Sequence, residues 1–289
     1  MTKPRVIESI SEMQELSRSL KREGKKIAFV PTMGYLHQGH LSLVEKARQL
    51  GDVVVVSIFV NPTQFGLSED FDRYPRDLEG DLKKLEPYRV EYVFYPSARE
   101  MYPEGYQTYV EVERLSRGLC GDFRPGHFRG VCTVVCKLFN IVQPDFAIFG
   151  EKDYQQLRVI EQMTRDLNFP VQIIGMPTIR EEDGLAMSSR NAYLSEGERK
   201  QALSLSRALF SCQELVKKGE KDSEMLKEKA REIISQNPDA RIEYIEIRDA
   251  YTLEPLEKID RPAQMLLAVW VGNTRLIDNI RLNPDYQGG

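Results

Sequence analysis

Three histidines serve a chain of 289 residues: His37, His40 and His127, each within two residues of a glycine. Two of them fall in one stretch, Pro31-Thr32-Met33-Gly34-Tyr35-Leu36-His37-Gln38-Gly39-His40. Imidazoles at this spacing can turn toward one ligand, and Gly39 between them lets the backbone approach it closely. The apolar run Lys25–Val30 ahead of the stretch reads as a strand. His40–Leu50 behind it, with Leu41, Val44 and Ala47 on one stripe, reads as a helix. The stretch is therefore a strand-to-helix loop, the position where an α/β sheet offers backbone N–H groups and a helix N-terminus to an anion. The bland alternative is a polar turn with two solvated histidines; two of the chain's three histidines at one anion-binding position speak against it. The order Gly34-x-x-x-x-Gly39-His40-Leu41 nearly copies the P-loop pattern. His40 replaces its phosphate-binding lysine and Leu41 its magnesium-binding hydroxyl, which argues against a P-loop kinase or ATPase.

Other loops carry matching groups. Gly150-Glu151-Lys152-Asp153-Tyr154-Gln155-Gln156 ends one expected strand and opens a helix, so Lys152 can meet a phosphate and Gln156 lies one turn on. Asn61-Pro62-Thr63-Gln64-Phe65-Gly66 ends another, and the uncharged amide of Gln64 suits a hydroxyl or carboxylate. Met187-Ser188-Ser189-Arg190 follows Gly184 in a segment that reads as flexible, and offers two hydroxyls and a guanidinium to phosphate oxygens. Its alternative is a serine-rich linker. Phe123-Arg124-Pro125-Gly126-His127-Phe128-Arg129-Gly130 is basic in an acidic chain and suggests a local anion site, against the alternative of a solvated loop. Cys120, His127, Cys132 and Cys136 match no zinc spacing. Cys132 and Cys136 share one side of an apolar helix, where burial in a core is the better account.

These loops require a scaffold that gathers strand ends. Strands are expected at Lys25–Val30, Val53–Val60, Glu91–Tyr95, Phe146–Gly150 and Val171–Met176. Helices are expected at His40–Leu50, Pro75–Tyr88, Val131–Val142 and Asp153–Asn168. Alternation of this kind implies an α/β fold, a doubly wound parallel sheet whose ligand loops lie at the strand C-termini. Past Arg180 the texture changes. Ser195-Glu196-Gly197-Glu198 fits a capping box opening a helix to about Gly219. A helix at Ser223–Gln236 follows, then strands at Arg241–Arg248, Met265–Val271 and Arg275–Leu282, a smaller C-terminal α+β domain. The expected division is 1–183 and 184–289. Hydrophobic residues are 41%, charged residues 29% and the net charge −4, so a soluble globular chain without a general basic footprint for nucleic acid is expected. Val53–Val60, broken by Ser57, is far short of the roughly 20 apolar residues of a membrane span. No apolar stretch follows the N-terminal charges, so no secretory signal is expected and the cytoplasm is the expected compartment, with reduced cysteines.

The H-x-G-H arrangement resembles the signature of nucleotidyl-transferring α/β enzymes, which attack the α-phosphate of ATP and release pyrophosphate. Met187–Arg190 resembles the loop that closes over ATP in class I aminoacyl-tRNA synthetases. Taken with Tyr74-Pro75-Arg76-Asp77, Arg124-Pro125-Gly126-His127-Phe128 and Asp183 through Asn191, these motifs in this order are similar, over nearly the whole chain, to the pantothenate synthetases (pantoate–β-alanine ligases). The resemblance implies a Rossmann-like fold and ligation of (R)-pantoate to β-alanine through pantoyl adenylate, with ATP and Mg2+. It implies His40, His37 and Lys152 as catalytic groups. Met33, Gly34, Tyr35, Leu36, His37, Gln38, Gly39, His40, Gly150, Glu151, Lys152, Asp153, Ile179, Met187, Ser188, Ser189 and Arg190 would hold ATP. Gln64, Gln156 and Asn61 would bind pantoate, with Arg124 and His127 as further candidates at the pocket mouth. It implies no protein-bound metal, no nucleic-acid or membrane partner, and a cytoplasmic homodimer.

Overall fold

A strand buried on both faces needs helices above and below it, and the order of elements supplies them. The computed structural model describes residues 3–66 and 69–283. In chain order the first elements are β1 (Arg5–Ile7), α1 (Ile10–Arg22), β2 (Ile27–Thr32), α2 (Gln38–Leu50), β3 (Val53–Ile58), α3 (Leu78–Leu85), β4 (Tyr92–Phe94), α4 (Ala98–Met101), α5 (Cys120–Phe123), α6 (His127–Val142), β5 (Phe146–Gly150), α7 (Tyr154–Asp166) and β6 (Gln172–Met176). The six strands form one parallel sheet in the order β1-β4-β3-β2-β5-β6. All six residues of β3 are buried, as its unbroken apolar run requires.

The order reverses between β2 and β5. Their pairing is short, Ala28 with Phe146 and Phe29 with Ala147, so the two strands part toward their C-terminal ends. In open α/β sheets such a switch point is where ligands bind. The loops leaving these two strands begin at Met33 and Glu151. β2 runs through Pro31 to Thr32 rather than stopping before the proline. At Pro31 it pairs with β3 at Ser57 and has already left β5, so the missing N–H leaves no gap in the ladder.

The edge strand β1 and helix α1 are absent from the sequence expectation. Three residues are too few to show a period, and α1 has a buried face of only Met13, Ser17 and Leu20. The remaining elements are α8 (Glu196–Lys217), α9 (Ser223–Ser235), β7 (Ala240–Asp249), β8 (Ala263–Val271) and β9 (Thr274–Leu282). The three strands form an antiparallel meander, β7-β8-β9. Ala202, Leu205, Leu209, Cys212 and Val216 of α8 recur at helical spacing and are buried with Met265, Leu267 and Val269 of β8 in one core.

The chain divides into two compact units at Pro177/Thr178, not at 183/184, and residues 152–155 group with the second unit. Long-range bonds explain both differences. Arg180 pairs with both carboxylate oxygens of Asp278 at 2.6 and 2.9 Å. Asn279 donates to the Lys152 carbonyl at 2.8 Å, and the Tyr154 hydroxyl donates to the Ala250 carbonyl at 2.7 Å. No helix among the described residues is long and apolar enough to cross a membrane.

Candidate active site

The histidine stretch forms the N-terminus of α2, which starts earlier than the sequence suggested: His37 is its N-cap and His40 lies in its first turn. The His37 N–H donates to Nδ1 of His40 at 3.2 Å, and the Gly39 N–H donates to Nδ1 of His37 at 3.1 Å. The rings stand 4.0 Å apart. A backbone N–H can only donate, so both Nδ1 atoms are acceptors, and each neutral imidazole carries its proton on Nε2. The cap thus turns two histidines into two Nε2–H donors of defined tautomer at a helix N-terminus.

The loop leading to this cap is gripped by α3. The Asp81 carboxylate accepts from the N–H groups of Tyr35 and Leu36, both at 2.7 Å. Lys84, one turn further on, donates to the Leu36 carbonyl at 2.8 Å. Gly34 is required here: its φ is +84°, and a Cβ would stand 2.9 Å from Ile58 Cγ2 and 3.1 Å from Asp81 Oδ2. Burial pushes the Asp81 carboxyl above its ordinary range, against the pull of these N–H groups and Lys84. Sequence reasoning passed over Asp81. The signal was there, a lone charge on the stripe Leu78, Leu82, Leu85.

A second group assembles around Asn61, which is buried. Its amide donates to Gln64 Oε1 at 3.0 Å and to the Gly130 carbonyl at 3.1 Å. Its Oδ1 accepts from Thr63 Oγ1 and from the Tyr102 hydroxyl, both at 2.9 Å. Burial pushes the Tyr102 hydroxyl up to about 12, so it stays a donor in the working range. Gln64 Nε2 in turn reaches Met33 Sδ at 3.4 Å, which brings the two predicted loops together. Helix α6 approaches so closely that a Cβ on Gly130 would lie 2.3 Å from the Thr63 carbonyl oxygen.

In the basic segment 123–130, Arg124 and His127 have partners within the protein. Arg124 pairs with Glu69 through two bonds of 2.7 and 2.6 Å. Burial raises the Glu69 carboxyl, but the bonds and charge of Arg124 outweigh it and hold it below its ordinary range. Arg129 lies over the Tyr109 ring at 3.9 Å. His127 is buried at the start of α6. Arg124 donates to His127 Nε2 at 3.0 Å, so the ring proton is on Nδ1, which donates to the Gln64 carbonyl at 2.9 Å. This tautomer is opposite to that of His37 and His40, and it places His127 as a support for Gln64. Cys132 is buried in α6, its thiol pushed up to about 12 by burial, and Cys136 is half-buried. Among the described residues no group of three or more His, Cys, Asp or Glu side chains is arranged to hold a metal ion.

The remaining predicted residues lie on the loop after β5, on α7 and in the second unit. Lys152 is half-buried and Asp153 sits beside it in a short 3-10 turn after β5, and Gln156 is half-buried on α7. Residues 178–191, the segment expected to be flexible, form a loop with hydrogen bonds within itself and to α8. The Met187 N–H donates to the Ile179 carbonyl at 2.9 Å. Arg199 binds Glu181 and Asp183, both at 2.7 Å, and Asn191 binds Glu181 at 2.7 Å and the Ala186 carbonyl at 3.1 Å. Ser188 caps the 3-10 turn Ser189–Tyr193, accepting from the Arg190 N–H at 3.3 Å.

A parallel sheet that reverses its order beside a histidine-capped helix defines the class: an α/β enzyme of the H-x-G-H nucleotidyltransferase type. Within that class the likeness is specific. Residues 5–281 match the family model described as pantoate-beta-alanine ligase. The pantothenate synthetase of Sulfurihydrogenibium sp. (strain YO3AOP1) is 58% identical over 276 residues, 95% of this chain and 99% of that protein. That of Thermotoga petrophila is 58% identical over 275 residues, covering 95% and 98%. The crystal structure of pantothenate synthetase from Thermus thermophilus superposes with a TM-score of 0.92 at 48% identity, covering 97% of this chain and 100% of that one. A pantoate-beta-alanine ligase from Francisella tularensis, complexed with beta-gamma ATP and beta-alanine, gives a TM-score of 0.79 at 36% identity, covering 96% and 97%. The chain belongs to the pantoate–β-alanine ligase family.

Proposed function

We propose that this chain joins (R)-pantoate to β-alanine in two steps driven by ATP. The pantoate carboxylate attacks the α-phosphorus, forming pantoyl adenylate and displacing pyrophosphate. The β-alanine amine then attacks the acyl carbon, loses a proton and displaces AMP. The observation that carries this reading is the reciprocal cap of α2, which fixes Nε2–H donors on both His37 and His40. A carboxylate nucleophile needs no base, but the crowded α-phosphate needs donors held in place as charge builds on its oxygens. His37 and His40 supply them, and Lys152 adds a positive charge.

Met33 through His40, Gly150 through Asp153, Ile179 and Met187 through Arg190 are the residues assigned to ATP. Asn61, Gln64 and Gln156 are assigned to pantoate; the Asn61–Gln64–Met33 contacts support this by fixing an amide beside the histidine loop. Magnesium enters with ATP as part of the substrate. The chain acts in the cytoplasm as a homodimer, which sedimentation of the purified protein checks.

The reading is tested by isotope exchange between ATP and pyrophosphate. Exchange should require pantoate and proceed without β-alanine. Exchange indifferent to pantoate removes the adenylate from the scheme.

A further inference from the structure

We propose that Asp81 is a positioning residue for the two imidazoles, acting through the backbone of Tyr35 and Leu36; this rests on the reading of His37 and His40 given above. The loop it holds is strained. Gly34 and Tyr35 are consecutive left-handed residues, φ 84° and 51°, a conformation that a non-glycine residue adopts only when its surroundings impose it. A cavity of about 550 Å3 has Met33, Gly34 and Asp81 in its wall, and Leu36 is buried in the core beside it. The Gly34 N–H donates to Thr32 Oγ1 at 3.1 Å, and the next two N–H groups are held by charge-assisted hydrogen bonds to an aspartate with no exposed surface.

The consequence passes along the chain one peptide at a time. Asp81 fixes the Leu36 N–H and Lys84 fixes the Leu36 carbonyl, so α3 holds the residue before His37 at both ends. His37 then has its N–H directed at Nδ1 of His40 and its own Nδ1 at the Gly39 N–H. Rotation of the Leu36–His37 peptide would break the first of these bonds and release the tautomer of His40. Asp81 thus sets the direction of donors that it does not touch.

The test uses the three histidines as their own probes. Nitrogen-15 spectra of the imidazoles should show two Nε2–H rings, His37 and His40, and one Nδ1–H ring, His127. In Asp81→Ala the His37 and His40 signals should move toward a tautomer average while His127 is unchanged. The kcat should fall by roughly a hundredfold, as expected when reacting groups are misplaced by about 1 Å, with KM for β-alanine within about twofold. Asp81→Asn keeps one acceptor and should give a smaller shift of the same signals; it carries the test if the alanine variant does not fold. Unchanged His37 and His40 signals in the folded variants, or an undiminished kcat, overturn the proposal. If the wild type shows no pantoate-dependent exchange, the functional reading fails, and the spectra still decide whether Asp81 sets the tautomers.

Discussion

Two helices in this protein open with the same device, built from different residues. At α8, Glu198 accepts from the Ser195 N–H at 2.8 Å and Ser195 accepts from the Glu198 N–H at 3.3 Å. At α2, His40 accepts from the His37 N–H at 3.2 Å, and His37 accepts from the Gly39 N–H at 3.1 Å. Serine and glutamate are favoured in such a box because they satisfy orphan N–H groups well. Histidine is not among the preferred caps, so stability alone does not account for two of the chain's three histidines at these positions. An imidazole has a second nitrogen, and a cap that occupies Nδ1 dictates what Nε2 presents. The α8 box opens a helix; the α2 box opens a helix and sets a tautomer.

Exchanging the two devices is the most severe test of that distinction. His37→Ser with His40→Glu rebuilds the α8 box on α2, and kcat should fall by on the order of a thousandfold as phosphate donors are removed. The unfolding free energy should stay within about 1 kcal/mol of wild type. Turnover near wild type would mean that the cap, not the imidazoles, matters. His40→Ala alone should lower kcat by roughly a hundredfold, read by ATP–pyrophosphate exchange. Gln64→Ala should raise KM for pantoate about tenfold, the loss of one hydrogen bond to a charged ligand, and leave KM for ATP unchanged. An effect confined to ATP would show that the pantoate pocket lies elsewhere.

The α8 box should respond only in stability. Ser195→Ala should cost about 1 kcal/mol in chemical denaturation and leave kcat as it was. The Ser195 hydrogen bonds hold the Glu198 carboxyl below its ordinary value of 4.5. Since the folded value is the lower one, the contribution is complete above the unfolded pKa and fades as pH falls through the folded value. The gap between wild type and Glu198→Gln should therefore narrow on acidification, a small effect visible in denaturation midpoints.

Local features were legible in the order of residues. Helix stripes, apolar strands, the Ser195–Glu198 box and the strand-to-helix place of His37 and His40 all depend on residues within about two turns of one another. The assignment of His37 and His40 to one site and of Gln64 to the loop after β3 needed nothing more. Tertiary structure decided how those groups are held. Asp81 reaches Leu36 over a separation of 45 residues and Tyr102 reaches Asn61 over 41. Neither pairing exists until the sheet order β4-β3-β2 brings the strand ends together. The same folding turned segment 123–130 from a free basic loop into a paired one, because Glu69 is distant in sequence and adjacent in space. It also moved the division between units to Pro177/Thr178, through partners of Arg180 about a hundred residues away. Periodicity and caps are written into neighbouring residues, whereas a hydrogen bond between distant loops depends on the path of every strand between them.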